Sequence, residues 1–125
     1  MPYEAHYSKA DKHITYRYWG TLTAQEFLES FNEQAEFFQG LTGLVTVNAD
    51  ASDLDSLPTT LLTHARNSHL ARYRPLMLVI VGGNPFVKVI ANVFGKITNI
   101  EIHYTKTQSE AEQLFQKRRA QENRG

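Results

Sequence analysis

The chain contains no cysteine. It therefore has no disulfide, no thiol nucleophile and no cysteine-ligated zinc, and any metal would need histidine and carboxylate ligands. Long apolar runs are also missing, because the longest, residues 76–81, is far too short to cross a bilayer. The start MPYEAHYSKADK has neither the basic beginning nor the apolar centre of a signal peptide. From these absences we expect a cytoplasmic protein.

Net charge is absent as well, because 13 Lys and Arg residues balance 13 Asp and Glu residues. The charges are nevertheless unevenly distributed. Residues 1–55 hold nine acidic and three basic residues, whereas residues 56–125 hold four and ten. In one domain this imbalance supplies either internal ion pairs or two opposed faces that orient a charged partner.

A length of 125 residues suits one domain with a real hydrophobic core. Runs of aromatic, β-branched and other apolar residues predict five strands, at 3–7, 14–19, 44–47, 76–81 and 100–104. Helical spacing and start signals predict four helices, at 23–40, at 56–71, from 84 onwards and from 107 onwards. The order ββαβαβαβα predicts an α/β fold with a mostly parallel five-stranded sheet, an antiparallel N-terminal strand and four helices. We assign residues 1–116 to this single domain and expect the charged residues 117–125 to form a frayed tail.

Local signals mark where several elements begin. Thr23 and Glu26, and again Thr107 and Glu110, have the spacing of a capping box, in which the two residues satisfy each other's backbone amide. The polar residues 48–55 are interpreted as a connection between the third strand and a helix that begins at Ser56. Six consecutive apolar residues at 76–81 are typical of a parallel strand covered on both faces.

The segment Gly82-Gly83-Asn84-Pro85 lies between that strand and the next helix. Its adjacent glycines do not match the dinucleotide fingerprint G-x-G-x-x-G, and Lys88 is not followed by the Ser or Thr of a P-loop. An N-cap at Asn84 and a first helical position at Pro85 explain the segment as a structural corner. The alternative is anion capture by the helix start, assisted by Lys88.

The helix after this corner carries a broad apolar face, formed by Phe86, Val87, Val89, Ile90, Ala91, Val93, Phe94 and Ile97. This face is wider than one sheet surface requires. The helix is therefore either packed deeply between its neighbours, or it covers an apolar ligand or docks a partner.

No set of residues indicates catalysis or metal binding. His64 and His69 are five residues apart rather than four, and H-E-x-x-H does not occur. Ser56 is not part of a G-x-S-x-G nucleophile elbow. We therefore expect a protein that is not an enzyme and that has no cofactor and no metal.

A basic cluster near the middle of the chain consists of Arg66, Arg72, Tyr73 and Arg74. It is not accompanied by a DNA- or RNA-binding motif, and the sequence pI is about 7.0. We interpret it as a solvated helix end and expect no nucleic-acid partner.

Two stretches, together with the predicted strand order, resemble the STAS domain of bacterial anti-sigma-factor antagonists. The first is LVTVNADASDLDSL, residues 44–57, and the second is NPFVK, residues 84–88. By this resemblance Ser56, after Asp55, takes the place of the family's phosphorylated serine. Phosphate there would add nearly two negative charges at a helix start, able to repel an acidic partner.

The chain departs from the family pattern after that serine, where Leu57 and Pro58 replace a second small hydroxyl residue and a glycine. The aromatic-rich first predicted helix and the broad apolar face described above look more like the STAS-like proteins grouped with Sec14 lipid carriers. That resemblance implies a bound lipid or other apolar molecule.

These observations lead to one functional expectation with two alternatives. We expect a non-enzymatic STAS-like regulatory or binding module that engages a protein partner or a small apolar or anionic ligand. The alternatives are a Sec14-like carrier and a Ser56 phosphoswitch. The predicted ligand-binding residues are Gly82, Gly83, Asn84 and Lys88, and the predicted partner surface is Asp53, Asp55 and Ser56. The aromatic first strands offer an edge that would pair in a homodimer.

Overall fold

The structure of the protein is a computed structural model. It describes residues 3–8, 10–21, 23, 25–26, 29–30, 45–56, 76–83, 85–98 and 100–124. The strands are β1 Tyr3–Ser8, β2 His13–Thr21, β3 Thr46–Ser56, β4 Met77–Val81 and β5 Ile102–Thr105. The described helices are α1 Pro85–Thr98, between β4 and β5, and α2 Gln108–Arg124, after β5. Among these helices none is long and apolar enough to span a membrane.

The five strands form one sheet in the order β1-β2-β3-β4-β5. Strand β1 is antiparallel to β2, and β2, β3, β4 and β5 run parallel. The predicted α/β fold with a mostly parallel five-stranded sheet and an antiparallel N-terminal strand is confirmed. Of the four predicted helices, those at 23–40 and 56–71 fall largely outside the described residues.

The β1–β2 hairpin follows from local sequence. Its loop is closed by two hydrogen bonds, because the Ser8 hydroxyl donates to Asp11 Oδ2 at 3.1 Å and accepts from the Asp11 amide at 3.3 Å. Along β2, Ile14, Tyr16 and Tyr18 alternate with more exposed residues, as expected of a strand with one buried face.

The first face of the sheet holds the larger core. It joins Ile14, Tyr16 and Tyr18 of β2 to Val47 of β3, and Val87 brings α1 onto the same face. The buried tyrosines keep their hydroxyls satisfied, as burial requires. Tyr16 donates to the Ser30 carbonyl at 2.9 Å, and Tyr18 bonds the Ser30 hydroxyl at 3.1 Å.

The opposite face holds a smaller core under α2. Met77, Val79 and Val81 of β4 pack there with Ala111, while Leu114 and Phe115 lie at its margin. Strand β4 is therefore covered on both faces, which confirms the prediction from its uninterrupted apolar sequence. Helix α2 contacts β3, β4 and β5.

The first predicted capping box carries both of its expected hydrogen bonds, and the second carries the one donated by its glutamate amide. The Thr23 amide donates to Glu26 Oε1 and the Glu26 amide donates to Thr23 Oγ1, each at 3.1 Å. At the second box the Glu110 amide donates to Thr107 Oγ1 at 3.2 Å. The start of α2 is further fixed by Asn48, a buried β3 residue that exchanges two amide hydrogen bonds of 3.1 Å with Gln108.

Two sequence-based boundaries are wrong. Residues 48–55 are not a connection but the body of β3, and Ser56 is the last residue of that strand rather than a helical residue. The predicted domain boundary after residue 116 falls inside α2, which continues to Arg124. The physical reason for the second correction is Arg119, whose Nη2 donates to the carbonyls of Asp11 and Lys12 and to Thr46 Oγ1 and so holds this part of the helix on the sheet.

Candidate functional site

The predicted site residues lie at the end of the sheet where the parallel strands have their carboxyl ends. We call this end the carboxyl rim and define it by residues 51–56, 82–83, 85–88 and 104–106. Strand β4 ends at Val81, and its extension is held against β5 because the Gly82 amide donates to the Thr105 carbonyl at 2.9 Å. The carboxyl ends of parallel strands are the usual place for binding loops in such sheets.

The two glycines of the rim are required by their backbone geometry. Gly82 has φ +70° and Gly83 has φ +89°, values that side chains with a Cβ rarely adopt. A Cβ on Gly82 would collide with Ser52 Oγ, and a Cβ on Gly83 would come within 2.8 Å of Val87 Cγ2. The chain therefore turns directly over β3, which brings Ser52 to the floor of the rim.

A depression of about 500 Å³ opens beside this turn. Its described lining residues are Ser52, Gly82, Gly83, Pro85, Lys88, Tyr104 and Lys106. The lining thus combines a hydroxyl from β3, a lysine from the first turn of α1 and a second lysine after β5. The prediction that Gly82, Gly83 and Lys88 share one site is consistent with this geometry, whereas Asn84 lies outside the described residues.

The rim also contains a two-stranded projection. The last pair between β3 and β4 is Asp50 with Val81, whereas β3 continues to pair with β2 until Ser56 meets Thr21. We call residues 19–21 and 51–56 the β2–β3 ribbon. Within the described ranges no strand pairs with the β4-facing edge of residues 51–56.

Two register shifts shape this ribbon, one between Arg17 and Trp19 and one between Gly20 and Thr21. Each places an extra β3 residue opposite β2, as in a β-bulge, and a bulge re-aims the side chains that follow it. Leu54 is consequently buried in the first core, and Asp53 and Asp55 are exposed.

Asp53 is held by the neighbouring strand. Arg17 Nη2 donates to Asp53 Oδ2 at 2.9 Å, and the Arg17 guanidinium lies 5.6 Å from the centre of the Trp19 ring. The hydrogen bond to Asp53 and its charge raise the pKa of Arg17. This cluster was not predicted, because nothing local in the sequence relates Arg17 to a carboxylate 36 residues away.

The structure places Ser56 at the tip of the ribbon and Ser52 at the turn of Gly82. Ser56 and Gly83 therefore lie at the same end of the sheet. The roles assigned to Asp53, Asp55 and Ser56 in partner binding stay predictions. For the broad apolar face of α1, Val87 is buried and Val89 is 54% exposed, and the ligand-carrier alternative likewise stays a prediction.

A second cluster, not found from the sequence, lies at the opposite end of the sheet, where β2 and β3 begin. His13 Nδ1 and Thr46 Oγ1 are 2.7 Å apart, and the His13 ring meets Phe115 edge-on at 4.9 Å between centroids. Burial lowers the pKa of His13, the Arg119 cation lowers it further, and Asp11 opposes the change. These residues line a cleft of about 730 Å³ beside α2.

The histidines do not converge. His6 is on β1 and His13 begins β2, whereas His103 is on β5, the outer strand on the other side of the sheet. His103 Nε2 lies 3.2 Å from Glu101 Oε2. In the part of the chain that the structure describes, no group of three His, Asp or Glu side chains is placed to hold a metal ion.

The architecture is that of a SpoIIAA-like fold. The chain is similar to an uncharacterised DUF3478-family protein with a SpoIIAA-like fold from Shewanella loihica PV-4, with TM-score 0.61 and 14% identity over 90% of each chain. It is also similar to the Bacillus cell fate determinant SpoIIAA in its phosphorylated form, with TM-score 0.56 and 12% identity over 90% of this chain and 98% of that one. The resemblance to the STAS fold is thereby confirmed. No family model matches the sequence, and no curated protein matches it.

Proposed function

We propose that this chain is a non-enzymatic regulatory module of the STAS type, and that it binds a protein partner through the β2–β3 ribbon. The observation that carries the proposal is the continuation of β3 past Asp50, its last residue paired with β4. Beyond Asp50 no described strand pairs with β3 on its β4 side, and the side of a strand that is not paired with another strand can accept a segment of another chain. The likeness to SpoIIAA supports a regulatory role for the fold.

The charges of the ribbon define the kind of partner. Asp53 and Asp55 are exposed, and Arg17 engages only one carboxylate oxygen of Asp53 in a 2.9 Å bond. Exposed carboxylates beside a strand edge favour a basic partner segment, because complementary charge speeds association and selects among partners.

The experiment compares capture of partners from the source cells by three forms of the tagged chain. The ribbon variant carries Asp53→Asn with Asp55→Asn, and the matched control carries Glu112→Gln with Glu122→Gln on α2, so that each loses two negative charges. We expect proteins enriched by the unmodified chain and by the control to fall about fivefold or more with the ribbon variant, since a close charge pair contributes on the order of 1 kcal/mol or more. Equal recovery by all three forms would overturn the proposal.

A second candidate is regulation of this surface by phosphorylation of Ser56, and the position of Ser56 at the tip of the ribbon favours it. A phosphate there would add about 1.5 to 2 negative charges next to Asp55. Ser56→Asp should then strengthen capture of a basic partner relative to Ser56→Ala, because the added negative charge attracts that partner. Identical capture by the two variants would exclude the phosphoswitch and leave the binding proposal standing.

A further inference from the structure

We propose that the depression between the Gly82 turn, Lys88 and Lys106 binds the phosphate group of a small molecule. This site adjoins the β2–β3 ribbon but does not depend on a protein partner there. Its lining residues come from four parts of the fold: β3, the turn after β4, α1 and the end of β5 with the loop after it.

The two lysines supply the charge. Lys88 lies in the first turn of α1 and Lys106 follows β5, so the fold brings together cations that are 18 positions apart in the sequence. Neither lysine makes an ion pair or hydrogen bond within the described part of the chain, and both side chains are exposed. Two ammonium groups complement a doubly charged phosphate, for which lysine acts as a point charge.

The rest of the lining favours an anion over a cation. No Asp or Glu occurs among its described members. Asp50, two residues before Ser52, is not among the lining residues, and its Oδ1 accepts the Ser52 amide at 3.0 Å. The hydroxyls of Ser52 and Tyr104 add donors of the kind that phosphate oxygens accept.

The size and shape of the depression suit a small molecule. Its volume of about 500 Å³ lies within the range of roughly 300–1,000 Å³ that ligand sites occupy. The absence of a side chain on Gly82 and Gly83 lets the turn pack directly on Ser52 and Val87, which a Cβ there would strike, and so fixes this wall of the depression.

The test is a titration of the ¹⁵N-labelled full chain at pH 7.5 and constant ionic strength, followed by amide chemical shifts. The probes are glycerol 3-phosphate, inorganic phosphate and acetate. We expect saturable shifts at Gly82, Gly83 and Lys106 with both phosphates and none with acetate. Tighter binding of glycerol 3-phosphate would assign the site to an organic phosphate, and equal affinity would assign it to free phosphate.

Matched lysine variants decide whether the depression is responsible. Lys88→Gln and Lys106→Gln should each weaken binding about fivefold, the order expected for one partly solvated charge contact. Lys96→Gln, on the last turn of the same helix and outside the depression, should leave the affinity unchanged. Unchanged thermal unfolding of all three variants would confirm that they fold.

Three results would overturn the proposal. They are shifts that do not saturate, shifts of the same residues by acetate at the same concentrations, and an equal loss of affinity in Lys96→Gln. None of these results bears on partner capture by the ribbon, since the lysine variants leave Asp53 and Asp55 intact.

Discussion

Asn48 of β3 and Gln108 of α2 exchange two amide hydrogen bonds of 3.1 Å each at the interface between the sheet and the last helix. Asn48 is 1% exposed, so its side of the pair is shielded from bulk water. The pair joins the middle of the sheet to the first residue of α2. It therefore helps to fix the start of α2, two residues after the rim residue Lys106.

We expect Asn48→Ala to destabilise the protein by about 1–3 kcal/mol, because two hydrogen bonds of about 0.5–1.5 kcal/mol each are lost at the buried Asn48 position. Urea unfolding followed by circular dichroism measures this loss. Gln116→Ala, at an exposed position on the same helix, is the control and should change the free energy of unfolding by less than about 0.5 kcal/mol. Equal effects of the two substitutions would show that the amide pair does not stabilise the interface.

Gly82→Ala should be more destabilising than Gly20→Ala, although the two glycines have nearly the same φ, +70° and +69°. Both substitutions force a residue with a Cβ into the left-handed region, at a cost of about 1 kcal/mol or more. Only Gly82 has a neighbour in the way, because a Cβ at Gly20 meets nothing within 4 Å.

The difference between these glycine variants isolates the contact with Ser52. Ser52→Ala removes the hydroxyl that a Cβ on Gly82 would strike, so the double variant should recover part of the loss. Thermal unfolding of the single and double variants measures this recovery. A Gly82→Ala protein as stable as Gly20→Ala would contradict the close approach of β3 to the turn.

Stability should depend on pH through His13. Burial first, and then the Arg119 cation, hold the pKa of His13 below its ordinary value of 6.5 in the folded protein, against an opposing effect of Asp11. The unfolded chain therefore binds more protons between the lowered pKa and 6.5. The contribution of neutral His13 to stability is complete above pH 6.5 and is lost as the pH falls toward the folded pKa.

Urea unfolding at pH 7.5 and pH 5.5 tests this dependence. His13→Gln keeps a hydrogen-bonding side chain next to Thr46 but cannot titrate, so it should lose less stability between the two pH values than the unmodified chain. His103→Gln serves as the control for general histidine titration. Parallel pH profiles for the unmodified chain and His13→Gln would contradict the prediction.

Arg119→Lys should loosen the end of α2. The lysine nitrogen lies one bond nearer the backbone than arginine Nη2, so it falls short of the position from which Nη2 donates to the carbonyls of Asp11 and Lys12 and to Thr46 Oγ1, at 2.8, 2.9 and 3.1 Å. Hydrogen bonds to charged groups contribute about 1.5–3 kcal/mol.

Amide hydrogen exchange measures the loosening directly. Faster exchange should appear in residues 117–121, while the amides of β4 keep their protection apart from a uniform global change. Lys117→Arg, on the same turn of the helix, is the control. Unchanged protection of residues 117–121 in Arg119→Lys would show that the charged tail is held by other contacts.

The order of elements followed from the sequence because it depends on local patterns. The six apolar residues before Gly82 predicted a strand buried on both faces, and β4 is such a strand. The capping-box spacing of Thr23 and Glu26 predicted two reciprocal hydrogen bonds, and both are present.

The interpretation of residues 48–55 failed for an identifiable reason. The alternation of buried and exposed residues identifies a strand in the sequence only while its pairing register is regular. Two bulges in β3 break this alternation and leave Leu54 buried between the exposed Asp53 and Asp55. Pairing with β2 stabilises this segment, and that partner is more than 30 residues distant in the chain.

The amino-acid sequence by itself determined the class of fold, the buried strand and the helix starts, since each rests on contacts between residues close together in the chain. Tertiary structure decided how far β3 extends, that Ser52 rather than Ser56 lies under Gly82, and that Arg119 holds α2 on the sheet. Each of these results depends on contacts between residues about 30 to 108 positions apart. Residues so far apart in the chain meet only when the strands and helices pack around a common core. The sequence pattern around either residue does not show which distant residue it will meet.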